Sequence, residues 1–247
     1  MNTKKILEEF KTLCDEGLNS TNAVKALNLI GITGYTEEDL KSFKLWCDYM
    51  PLSDEMAYTE EQRNLHIMWD SIDTVPLGIN CEFAIPYRQI IAKKLFKKCG
   101  DGFISGERCR FNFGNLIEVG ENVSWNSGVY IDAKGGVEFG DFSMLAEDVK
   151  IFSHTHDELN HMKRTYKKVT IMPYATLFVA STILPGVTIG TGSMVAGGAI
   201  VTRKVPKNWV AAGIPAILIR RRKIPKDGIE NINHYFMKDK MFQNHKD

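Results

Sequence analysis

The residues best suited to chemistry lie together near the middle of the chain. The stretch His154-Thr155-His156-Asp157-Glu158-Leu159-Asn160-His161 holds three of the six histidines. Imidazole is the side chain that accepts a proton most readily near neutral pH, and it is also a common metal ligand. His156 and His161 have an i, i+5 spacing that two zinc ligands could share. A catalytic zinc takes three protein ligands, and residues 111–150 contain no histidine to supply the third. Proton transfer is therefore the expected chemistry, with no metal. A second candidate set is basic: Arg220-Arg221-Arg222-Lys223, inside a positively charged stretch from Arg203 to Lys226. Such a cluster suits nucleic acid, a membrane surface or a phosphorylated cofactor, or is a solvated face.

These residues must be positioned by what surrounds them, and there the chain has an unusual rhythm. Apolar residues recur every six positions at Phe113, Val119, Trp125 and Ile131, then at Phe139, Leu145 and Ile151. A second series runs two residues ahead, through Phe111, Ile117, Val123, Val129, Val137, Ser143 and Val149. The step of eight from Ile131 to Phe139 implies a two-residue bulge. After a break the pattern resumes at Ile171, Leu177, Ile183, Ile189, Val195 and Val201. A six-residue period fits neither a helix nor an ordinary sheet. It fits a solenoid with three short faces per turn, each face sending an aliphatic residue inward, with small residues at the corners. A β-sandwich is disfavoured, because its turns recur every 8–12 residues. The break, residues 153–168, carries the histidines. A solenoid accommodates such an insertion as an outward loop, where binding faces commonly lie.

The first 80 residues read as helices. Ile6, Leu7, Phe10, Leu13 and Cys14 have helical spacing up to Gly17; Ser20 or Thr21 starts a second helix with Val24, Leu27 and Ile30. Thr36 to Asp39 and Thr59 to Gln62 have the form of capping boxes. The first leads a helix through Leu40, Phe43 and Trp46 to a stop at Pro51; the second leads Leu65, Met68 and Trp69. Pro86 stands near the start of another helix, ended by Gly100. No catalytic constellation appears in this region. Residues 1–76 hold 14 acidic against 7 basic residues, which argues against a DNA-binding helix pair. The expected organisation is thus a helical region 1–80, a helix and lead-in 81–110, a β-helix 111–204 with its loop 153–168, and a C-terminal cap and tail 205–247. No run of about 18 apolar residues is present. Glu8 and Glu9 interrupt any signal-peptide core, and the five cysteines lack metal or disulfide spacing. A cytoplasmic location is expected.

Four stretches resemble the hexapeptide-repeat acyltransferases, and most of all the galactoside and maltose O-acetyltransferases and the related exopolysaccharide and lipopolysaccharide acetyltransferases. They are Tyr130-Ile131-Asp132-Ala133-Lys134-Gly135-Gly136, Phe152-Ser153-His154-Thr155-His156-Asp157, Ile183-Leu184-Pro185-Gly186-Val187-Thr188-Ile189-Gly190 and Val210-Ala211-Ala212-Gly213-Ile214-Pro215-Ala216. The resemblance implies a left-handed parallel β-helix and a homotrimer with active sites between subunits. It also implies acetyl-CoA as acyl donor and a sugar or polysaccharide-precursor hydroxyl as acceptor. It brings the family's catalytic histidine onto His156, with His154 as the alternative, and an active-site asparagine onto Asn126. It puts Ser181, Gly197, Thr202, Arg203 and Arg220 on positions that contact CoA. Asp157 or Glu158 could orient an imidazole.

The chain departs from the family in two places. Phe178-Val179-Ala180 replaces the usual Trp-Ile-Gly before Ser181, and residues 1–80 have no counterpart in the short galactoside-type enzymes. Three alternatives stay open at this point: N-acylation of an amino sugar, a metalloenzyme like the γ-class carbonic anhydrases, and a non-catalytic binding platform, since fold does not fix function.

Overall fold

A computed structural model describes residues 2–49 and 57–232. The chain divides into two compact units, residues 1–96 with 112–115, and residues 97–111 with 116–247.

The first unit is helical. Helices α1 (Thr3–Asp15), α2 (Ser20–Leu29), α3 (Glu37–Ser42), α4 (Glu60–Ser71) and α5 (Cys81–Leu95) enclose Phe10, Leu27, Leu65, Trp69, Phe83 and Tyr87. Both capping boxes form, Thr36 with Asp39 and Thr59 with Gln62. The cap of α2 is Asn19, one residue before the expected serine. α3 is shorter than its apolar spacing predicts. The Asp48 carboxylate accepts the Leu45 N–H at 2.7 Å and holds Trp46–Tyr49 in a separate 3₁₀ turn, a side-chain bond that competes with helix continuation. The expected stop at Pro51 lies outside the described residues. Pro86 is the sixth residue of α5, a turn further in than expected.

The second unit is a left-handed parallel β-helix of about six turns. Its first face stacks Lys98–Cys99, Ile117–Val119, Val137–Phe139, Val169–Ile171 and Thr188–Ile189. The second face stacks Ile104–Ser105, Ser124–Trp125, Met144–Leu145, Thr176–Leu177 and Met194–Val195. It ends in Trp209–Gly213 and the antiparallel strand Ala216–Arg221. The third face stacks Arg110–Asn112, Tyr130–Asp132, Lys150–Phe152, Thr182–Ile183 and Ile200–Val201. Both apolar series point inward: Val119, Ile131, Ile151, Ile171 and Ile183 are fully buried, as are Val123, Val129, Val149 and Ala175. Phe103, Trp125 and Phe139 continue this interior as an aromatic column, with ring centroids 4.9 and 5.1 Å apart.

The turns differ in length while the inward residues stay level. Phe139 pairs with Val119 twenty positions back, Ile171 with Phe139 across the long loop, and Ile189 with Ile171 at eighteen. One expectation shifts. Arg110 N–H donates to the Val129 carbonyl at 2.8 Å, which sets Phe111, not Phe113, level with Ile131. The apparent step from Phe113 to Val119 was coincidental; the true step is eight, as between Ile131 and Phe139. Phe113 leaves the stack with φ 45°. The strands Lys98–Cys99 and Ile104–Ser105 lie ahead of the stretch where the rhythm is legible.

The small residues at the corners answer a lack of room. A Cβ on Gly140 would lie 2.5 Å from the nitrogen and Cδ of Pro173 in the next turn. Two residues further on, the left-handed corner positions are held by Asn122, Phe142 and Tyr174, and Phe142 and Tyr174 stack at 5.1 Å.

Candidate active site

The site begins at the corner between the third and first faces. There Tyr130–Asp132 ends, and one turn above it Lys150–Phe152 gives way to the long loop. In a strand, Ile131 points inward, so Tyr130 and Asp132 point outward. Asp132 is nevertheless 1 % exposed, because the loop folds over it. Ser153 anchors the loop's root: its hydroxyl donates to the Asp132 carbonyl at 2.6 Å and accepts the Gly135 N–H at 2.8 Å. Only glycine fits at 135, where a Cβ would lie 2.3 Å from the Ser153 carbonyl.

From Ser153 the loop forms an antiparallel ribbon, His154–His156 against Arg164–Tyr166. His154 faces Tyr166 and His156 faces Arg164. Side chains alternate across a ribbon, so these four share one face and Thr155 and Thr165 take the other. His154 Nδ1 is hydrogen-bonded to Asp132 Oδ2, and the other carboxylate oxygen takes Lys134 Nζ at 3.1 Å. Both partners are buried, with side chains 2 % and 8 % exposed. The Tyr130 hydroxyl lies within the field of Asp132: burial first, then that negative charge, hold its pKa above the ordinary value.

The tautomers follow from the partners. The His161 carbonyl only accepts, so His156 Nδ1, 2.7 Å away, carries a proton and donates it. Asp132, as a carboxylate, likewise takes the Nδ1 proton of His154. Both Nε2 atoms are then lone-pair nitrogens, and they face each other at 3.3 Å. His154 is thus a base whose orientation and tautomer are fixed by a buried carboxylate.

The other expected residues are divided among different edges. Asn126 lies at the corner between the second and third faces. Its amide donates to Glu147 Oε1 at 2.7 Å, and its Oδ1 accepts the Ser127 N–H at 3.0 Å. Gly197 and Ser181 share that edge. Ser181 is fully buried with its hydroxyl turned into the interior, so a contact with CoA at this position would run through its backbone. Thr202 and Arg203 follow Val201 and are exposed on the same edge as the histidines. Arg220 is exposed on the terminal hairpin. Of the basic run, Arg222 is structural, donating to the carbonyls of Tyr174 and Gly192 at 3.0 Å each, and Arg221 covers the Trp209 ring at 4.8 Å. Asp157 does not orient an imidazole: its Oδ1 accepts the N–H groups of Leu159 and Asn160. Among the described residues, no group of three or more His, Cys, Asp or Glu side chains is set to hold a metal ion.

Sequence reasoning quoted Asp132 within a motif but gave it no role, and it passed over Arg164 and Tyr166. The signal for Asp132 was an acidic residue directly after an inward isoleucine. The signal for the other two was the even spacing that puts 164 and 166 on the face of 154 and 156.

Fold and site together define a solenoid enzyme with a carboxylate-held imidazole on its protruding loop. No family model matches the chain. It is 32 % identical over 178 residues to a putative acetyltransferase of Dictyostelium discoideum, covering 70 % of this chain and 88 % of the relative. It is 29 % identical over 157 residues to the galactoside O-acetyltransferase of Escherichia coli, covering 62 % and 74 %. Among solved structures, a maltose O-acetyltransferase from Clostridium difficile superposes with a TM-score of 0.58 at 26 % identity, covering 67 % of this chain and 90 % of the other. The chain belongs to the hexapeptide-repeat acetyltransferases. No helix among the described residues is long and apolar enough to cross a membrane.

Proposed function

We propose that this acetyltransferase moves an acetyl group from acetyl-CoA to a hydroxyl of a sugar or polysaccharide precursor, with His154 as general base. The observation that carries this reading is the bond from His154 Nδ1 to the buried Asp132. His156, favoured by sequence alone, is held by a loop carbonyl and lies further out. In the reaction, His154 Nε2 takes the proton of the acceptor hydroxyl as its oxygen attacks the thioester carbonyl. Collapse of the tetrahedral adduct breaks the C–S bond, and the imidazolium returns the proton to the CoA sulfur. Asp132 keeps the ring in the reactive tautomer and steadies its charge.

The division of the expected residues between two edges supports a shared site in a homotrimer. One chain would supply the histidine edge with Thr202 and Arg203. Its neighbour would supply Asn126, whose amide N–H would serve the acceptor or the adduct's oxyanion. The phosphates of CoA would meet Arg203 and Arg220. The five free cysteines suit a reducing cytoplasm.

The test is consumption of acetyl-CoA by purified protein across a panel of sugars, nucleotide sugars and polysaccharide intermediates. Transfer to a hydroxyl is expected; failure to bind CoA would refute the enzyme's donor. Mixing the inactive variants His154→Ala and Asn126→Ala and letting subunits exchange should restore part of the activity. Absence of restoration in mixed oligomers would refute the shared site.

A further inference from the structure

Arg164 faces His156 across the ribbon, in register. The inter-strand hydrogen bonds flank this pair, from Asp157 N–H to the Lys163 carbonyl and from Lys167 N–H to the Ser153 carbonyl. It is therefore a non-hydrogen-bonded pair, the kind in which Cα atoms approach to about 4.5 Å and side chains lie closest. The guanidinium thus shares the face of both imidazoles. Yet it meets no carboxylate among the described residues. Nη2 reaches only the Met162 sulfur, at 4.0 Å, and Nε is buried without a hydrogen-bond partner. A guanidinium stays charged and carries five donors, and a buried donor left unmet is unfavourable until something accepts from it. The surroundings do not neutralise it. Lys134 cancels Asp132, and Asp157 Oδ1 is occupied by backbone N–H groups.

We propose that Arg164 determines acceptor specificity: its planar fork binds an oxyanion carried by the sugar, a carboxylate or a phosphate, and so sets the acceptor hydroxyl before the imidazole. This rests on the acetyl-transfer reading above and narrows it to anionic saccharides. The fork geometry matches either oxyanion through two parallel N–H···O bonds.

The experiment uses the full chain with three probes: D-galactose, D-galacturonate and D-galactose 1-phosphate. Each is titrated calorimetrically in the presence of non-transferable CoA, and each is offered as acceptor with acetyl-CoA. At least one charged sugar should bind roughly 10- to 100-fold more tightly than galactose, the size of a charge-assisted bond. Which of the two prevails identifies the source of the oxyanion. Arg164→Met should remove that margin, Arg164→Lys should keep part of it, and KM for acetyl-CoA should hold in both variants. Equal binding of all three probes would overturn the assignment, as would an Arg164→Met defect in acetyl-CoA binding rather than acceptor binding. The titration reads the role of Arg164 without turnover. A preserved margin with no transfer would therefore fail the acetyl-transfer reading alone, and transfer without a margin would fail this one alone.

Discussion

Replacing Asp132 with asparagine tests the site most directly. The carboxylate serves two donors, His154 Nδ1–H and the Lys134 ammonium at 3.1 Å, and both it and the ammonium are nearly out of solvent. An amide has the same shape but only one acceptor end. Turned toward Lys134, it presents N–H to His154 and forces the imidazole into the other tautomer, with its proton on Nε2, where it no longer accepts from the substrate. Turned toward His154, it leaves a buried ammonium unpaired. The first outcome should cost the general-base contribution, ~10²–10⁴ in kcat. The second should cost ~3–5 kcal/mol of stability, which lowers the melting midpoint of the solenoid by roughly 6–20 °C. A second substitution separates the two. Asp132→Asn with Lys134→Met removes the stranded charge and leaves the amide oxygen free to accept His154 Nδ1–H, so melting should recover and turnover should rise above that of Asp132→Asn. The assay pairs single-turnover transfer from acetyl-CoA, on any acceptor the wild type uses, with thermal melting. Wild-type turnover together with wild-type melting in Asp132→Asn, or a double variant that melts no higher than the single one, would refute the reasoning.

His154→Ala should lower kcat ~10²–10⁴-fold, whereas His156→Ala, which leaves the Asp132 contact intact, should cost less than about tenfold in the same assay; the reverse order would return the base role to His156. Gly140→Ala forces a Cβ against the Pro173 backbone and should destabilise the solenoid by about 1–3 kcal/mol in urea melts; an unchanged midpoint would mean that the corner can widen. Burial pushes the thiols of Cys14 and Cys47 up to about 12 from an ordinary 9.0. The unfolded thiols therefore ionise first. Their contribution is complete below pH 9 and is lost as pH rises toward 12. The helical unit should weaken over that window, less so in Cys14→Ala/Cys47→Ala; Tyr58 and Tyr87, also raised by burial, add to the slope.

The solenoid was legible because its physical cause is local and repeated. Each inward residue sits at a fixed count from the last, and Val119, Ile131 and Ile183 declare that count without help from distant contacts. It blurred where a side chain broke the count, as when Phe113 imitated the position that Phe111 holds. The capping boxes at Thr36 and Thr59 were legible for the same reason. The length of α3 was not, since it depends on a carboxylate, Asp48, that arrives from beyond its end. The histidines announced themselves by density. What ranks them is Asp132, one turn below and twenty-two residues earlier in the chain, and no spacing rule links two residues joined only by the stacking of coils. Ser181 was legible in another sense: it stands two residues ahead of Ile183, in the series that the solenoid turns inward, and it is buried there.

Phe139 and Ile171 lie level in adjacent coils although the whole loop intervenes. The interior therefore does not register how long that excursion is, what it contains or how it is folded. Such a loop is a cassette: it can be lengthened, recoloured with charge or exchanged wholesale while the scaffold beneath keeps its register. Sixteen residues can be rewritten in this way while the coils on either side of them keep their pairing.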